Sequence, residues 1–185
     1  MIESLTETTS SLDGGISQLF VDCCEEGIVY PEDVRREINK REAQPDRVFG
    51  IRQTKTIERL LHSEDRRRLH SGKALRETVR MSPFRPSVGP CLFPFLVLES
   101  KSGKGKDAFT DIENQTAFAI REILKLQEEL QSAAEEAADV RWNAAPLVWF
   151  LAHRGESWRL MASYPEQGSK GKSYVSTEIY IVKYR

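Results

Sequence analysis

The sequence predicts an α/β domain, and three observations carry that expectation. The most apolar stretch, Cys91 to Leu98, is too short for a globular helix and does not alternate. It reads as a central strand covered on both faces. A long helical pattern follows, with Ile112, Gln115, Ala119, Ile123, Leu126 and Leu130 on one stripe. Leu147 to Leu151 then reads as another strand. Residues 95–151 are therefore a strand–helix–strand crossover, expected to be parallel and right-handed.

The remaining elements are placed in chain order. Residues 1–15 read as a mobile tail ending in Asp13-Gly14-Gly15. Ile16 to Glu26 has apolar residues at helical spacing, with Gly27 as a stop. Tyr30-Pro31-Glu32-Asp33 opens a second helix to about Lys40, and its acids lie at the positive end of the dipole. Val48 to Ile51 is a short strand. Thr56 to Leu61 and Glu64 to Leu69 are helical, and the prolines and glycine of 82–91 make an irregular connection. Thr110 and Glu113 fit a capping box at the head of the long helix, which runs to about Asp139. Trp158 to Ser163 and Tyr174 to Tyr184 are strands, separated by a Gly/Ser/Lys loop at 167–172.

Composition narrows the class. At 185 residues the chain fits one domain, 16–185, and can bury about 70% of its unfolded surface without a disulfide or metal staple. No apolar run approaches the length of a membrane-spanning helix, so no membrane partner is expected. The stretch Met1 to Glu7 has no basic segment followed by an apolar core, so no secretory signal is expected. The cysteines are Cys23, Cys24 and Cys91, an odd number that supports neither a disulfide framework nor a zinc site. An intracellular protein, nuclear or cytoplasmic, is expected.

The net charge of −1 hides four blocks. Residues 1–44 carry ten acids and four bases, and 52–86 carry ten bases and four acids. Residues 107–139 carry nine acids and two bases, and 141–185 carry seven bases and three acids. Such blocks either present a basic face or neutralise one another in the fold.

The chemistry concentrates where the apolar strand ends, at Leu98-Glu99-Ser100-Lys101. Residues i and i+2 of a strand share a face, so Glu99 and Lys101 point the same way. They do so at the carboxyl end of a central strand, where α/β sheets bind ligands. Pro45-Asp46 precedes the strand Val48–Ile51, so Asp46 converges with Glu99 if the two strands are neighbours. Two close carboxylates need a cation, a shared proton or a wider spacing. Oxygen ligands favour Mg²⁺ or Mn²⁺.

Pro45-Asp46, Glu99-x-Lys101 and the helix bearing Gln115 resemble the PD-(D/E)XK nuclease superfamily. The run Phe93 to Ser102 with Asn114-Gln115 and Ile120-Arg121 is similar to the nuclease-like domains of many fungal proteins. The resemblance covers about residues 30–151. It implies a restriction-endonuclease-like mixed central sheet flanked by helices, with 52–91 as a basic helical insertion. It implies metal-dependent hydrolysis of phosphodiester bonds in DNA, with Asp46 and Glu99 as metal ligands. Lys101 would assist the attacking water, and Gln115 would face the site from the first turn of the long helix. Glu37, with Glu26 behind it, is the candidate third acid. Arg66, Arg67, Arg68, Lys104 and Lys106 are candidate nucleic-acid contacts. The alternative is a catalytically silent module that binds nucleic acid or protein. A homodimer is compatible with either.

Overall fold

The computed structural model describes residues 19–38, 41–62, 79–84, 91–102, 108–138, 145–169 and 171–183. The chain forms an α/β fold around a mixed six-stranded sheet. The strands are β1 (Phe20–Cys24), β4 (Arg47–Arg52), β5 (Cys91–Lys101), β6 (Val148–Arg154), β7 (Ser157–Gly168) and β8 (Gly171–Lys183), in that order across the sheet. A separate pair, β2 (Ile28–Val29) and β3 (Glu42–Ala43), flanks helix α1 (Glu32–Ile38) in sequence. Helix α2 (Lys55–His62) lies between β4 and β5, and helix α3 (Ala108–Ala138) between β5 and β6.

β5 and β6 pair in parallel through α3, as the crossover pattern predicts, and every other ladder of the large sheet is antiparallel. One side of α3 covers the sheet: Ile112, Ala119, Ile123 and Leu124 are fully buried in one cluster with Val97, Val148, Phe150 and Ala152, and Leu126 is fully buried as well. Burying each large aliphatic side chain contributes roughly 1.5–3 kcal/mol.

The opposite sheet face is only partly covered. Leu96, Leu98 and Leu151 are half-buried and Trp149 is 38% exposed. β5 is thus covered on both faces, but unevenly: on the face away from α3, Leu92 and Pro94 are buried while Leu96 and Leu98 are half-buried.

The charge blocks meet on α3. Arg80 reaches Glu122 at 3.4 Å and Glu129 at 3.7 Å, Arg159 reaches Glu113 at 3.4 Å, and Lys172 pairs with Glu128. Bases from both basic blocks thus neutralise part of the acidic helix.

The β4–β5 ladder contains an irregularity with a packing cause. Phe49 pairs with Leu96 but Ile51 pairs with Leu92, so β5 carries two extra residues there. Pro94, which has no N–H for a ladder, occupies the bulge. Phe93 adopts a φ of 44°, and its N–H donates to the Met81 carbonyl at 2.8 Å. Gly50 makes this possible, because a Cβ there would lie 2.6 Å from Cys91 Sγ and 2.7 Å from the Leu92 oxygen.

Three expectations about elements are corrected. Residues 20–24 of the expected first helix form the edge strand β1, hydrogen-bonded to β4 from Phe20↔Ile51 to Cys24↔Arg47. The long helix begins at Ala108, so Thr110 lies within its first turn and is not its cap. The expected loop at 167–172 is a tight hairpin, with β7 and β8 paired out to Gly168↔Gly171. Residues 1–15, 64–69 and 85–90 lie outside the described residues.

Candidate active site

The site grows from the register of two strands, β4 and β5. Arg47 lies opposite Leu98, so Asp46 falls beside Glu99 where β4 begins and β5 ends. Glu99 alternates with Leu98 and follows Val97 on the α3 face, which leaves the carboxylate only 1% exposed. Two donors hold it. The Asp46 backbone N–H reaches Oε2 at 2.9 Å, and Gln115 Nε2 reaches Oε1 at 2.6 Å.

Asp46 is fixed from several directions. Its carbonyl accepts the Glu25 N–H at 3.0 Å, from a residue with a φ of 53°. Its carboxylate accepts two bonds from Ser100, from N–H at 2.7 Å and from Oγ at 2.8 Å. Ser100 is a site residue that motif reading passed over, although it is the variable position between Glu99 and Lys101.

Burial, with a smaller push from the Asp46 charge, raises the Glu99 carboxyl to about 7. The Asp46 N–H and the Lys101 ammonium pull in the opposite direction but do not offset the burial. Near neutral pH both protonation states are therefore populated, and a nearby cation favours the charged form.

Beside this pair opens a cleft of about 610 Å³, lined by Tyr30, Glu42, Ala43, Gln44, Lys101, Asp111, Asn114 and Gln115. Lys101 and Gln115 enter it from β5 and α3. Glu42 enters it from β3 and passes over Gly27, where a Cβ would lie 2.5 Å from the Glu42 carboxyl carbon. Gln44 Nε2 donates to Glu42 Oε1 at 3.3 Å.

Residues 9–184 match the family described as domain of unknown function DUF7924. The chain belongs to the DUF7924 family. No curated protein matches it, and no solved structure does.

In this DUF7924 chain the fold brings together Asp46, Glu99, Lys101 and Gln115. Gln115 projects from the second turn of α3, since that helix starts at Ala108. Glu37 is exposed on α1 and does not line the cleft, whereas Glu42 does. Glu26 is half-buried outside the cleft lining. Arg66, Arg67, Arg68, Lys104 and Lys106 lie outside the described residues.

The donor set suits a hard divalent cation in kind: Asp46 and Glu99 are neighbours at one strand end, joined by the Asp46 N–H, with Gln115 and Ser100 bonded to their carboxylates. Among the described residues no cluster of three or more His, Cys, Asp and Glu side chains forms a ready-made metal cage. Mg²⁺ needs none, because it keeps several of its waters and takes one or two carboxylates.

Proposed function

We propose that this chain is a nuclease of the PD-(D/E)XK type with a restriction-endonuclease-like fold, hydrolysing phosphodiester bonds of DNA with Mg²⁺ or Mn²⁺. One observation carries the reading. A buried glutamate ends the central strand, touches the residue of the Pro45-Asp46 pair, and shares its face with a lysine that opens into a cleft. Packing alone does not select a carboxylate at a position 1% exposed.

Asp46 and Glu99 would hold the cation, which polarises a phosphate oxygen and acidifies a bound water. Gln115 orients Glu99 through its 2.6 Å bond. Lys101 offers a compact charge and up to three donors to the phosphate and to the attacking water. Ser100 positions the Asp46 carboxylate.

The second reading is a silent nuclease-fold module that binds nucleic acid or protein. It is favoured by the way the acids are already satisfied within the chain: Ser100 occupies Asp46 Oδ2, and two donors occupy Glu99.

Calorimetric titration with Mn²⁺ separates the two. The enzyme reading expects saturable heat that disappears in Glu99→Gln, whose amide keeps the shape but loses the charge. A flat titration of the parent protein favours the silent module.

A further inference from the structure

The two edges of the large sheet are built differently. β1 is short, five residues, and Asp22 on it pairs with Arg47 at 3.1 Å. β8 runs for 13 residues, and all its ladder bonds go to β7. Among the described residues no strand pairs with the outer edge of β8. Long, flat edges are pairing templates, and proteins blunt them with proline, lysines, bulges or brevity. β8 has no proline, and no lysine between 173 and 182. Its one bulge is at Ile179, since Leu160 pairs with Tyr180 and Met161 with Glu178. The bulge leaves Gly171 to Glu178 as a regular edge. Beyond it Ile179, Tyr180 and Ile181 are 55%, 63% and 42% exposed.

We propose that two copies of the chain join through antiparallel pairing of their β8 strands, about a two-fold axis at Val175. The segment is complementary to itself in that register. Lys172 stands opposite the partner's Glu178, and the partner's Lys172 opposite Glu178. Ser173 stands opposite Thr177, Tyr174 opposite Ser176, and Val175 opposite its own copy. The register sets two opposite-charge pairs, one at each end, and no like-charge pair between them. It also brings Ile179 against Gly171 of the partner subunit, which offers no side chain to obstruct it. The contact joins two six-stranded sheets into one of twelve and removes the free edge.

Sedimentation equilibrium of the full chain tests this. The parent is expected at twice 21.1 kDa. Lys172→Glu or Glu178→Lys alone sets like charges together twice, and each weakens the dimer about 30-fold. The double variant restores the opposite-charge pairs and the dimer. Within one chain Lys172 pairs with Glu128, and Glu178 with Arg159 at 3.3 Å. The double swap reverses both of those contacts, so recovery reports on the pairing between copies. A parent that sediments at 21.1 kDa overturns the proposal, as does a double variant that stays monomeric while circular dichroism shows it folded. A monomeric parent that dimerises once residues 1–18 are removed overturns it too, and assigns the edge to the chain's own N-terminal segment.

Discussion

The two ends of β5 both break the regular pattern of a buried strand, for different reasons. At the Cys91 end the irregularity comes from packing. Pro94 sits in a bulge, Phe93 takes a left-handed φ, and Gly50 leaves space for the Leu92 carbonyl. Every departure there has a steric partner. At the Glu99 end the backbone is regular and the side chain is the anomaly. A carboxylate lies where Val97 and Ala152 show that an apolar group fits. A steric irregularity is expected to cost stability when it is removed. A polar residue kept at a buried position for chemistry is expected to do the opposite.

Substitutions at the two ends test that contrast, and the largest effect is expected at Gly50. Gly50→Ala drives a Cβ into backbone and sulfur, and we expect a loss of about 2–4 kcal/mol in urea unfolding. Glu99→Gln should move stability the other way. The Glu99 carboxyl ionises at about 7 in the folded chain, above its ordinary value of 4.5. Between those values the unfolded chain binds fewer protons than the native one, so stability falls as pH rises from about 4.5 to about 7. Removing the charge should therefore gain up to about 3 kcal/mol at pH 8 and under about 1 kcal/mol at pH 5. Urea melts at both values check this. An equal gain at the two pH values would show that the carboxylate charge is not the cost.

Smaller changes sharpen the comparison. Gln115→Ala removes the 2.6 Å donor to Glu99 and should cost about 1–3 kcal/mol at pH 8, less at pH 5 where Glu99 is protonated. Lys101→Ala, half-buried at the cleft, should change stability by less than about 0.5 kcal/mol, read from the same melts.

Much of this arrangement is legible in the sequence, and the parts that are not share a cause. The βαβ unit is visible because the apolar run of β5 and the stripe of α3 are local signals. The meeting of Asp46 with Glu99 follows once β4 and β5 are taken as neighbours. β1 was legible only as a helix. Ile16, Leu19, Phe20 and Cys23 have helical spacing, and a five-residue edge strand owes its form to a distant partner, β4. Which acid borders the cleft is hidden for a similar reason. Glu37 has the right chemistry but lies on the exposed part of α1, while the absent side chain of Gly27 decides that Glu42 reaches the cleft. One signal was available: in an extended segment, Glu42, Gln44 and Asp46 alternate onto one side ahead of β4. The role of Ser100 depends on a hydrogen bond across 54 positions, which no local pattern encodes.

The central claim is that Asp46, Glu99 and Lys101 form a working phosphodiester-cleaving site. The most direct measurement is cleavage of supercoiled, linear and single-stranded DNA, and of RNA, with Mg²⁺ or Mn²⁺ against chelator controls, in the parent and in Lys101→Ala. The account predicts chelator-sensitive DNA cleavage in the parent that is lost in Lys101→Ala, whose melting stays unchanged. Cleavage that survives Lys101→Ala at the parent rate, or a parent that cuts none of these substrates with either metal, would contradict it.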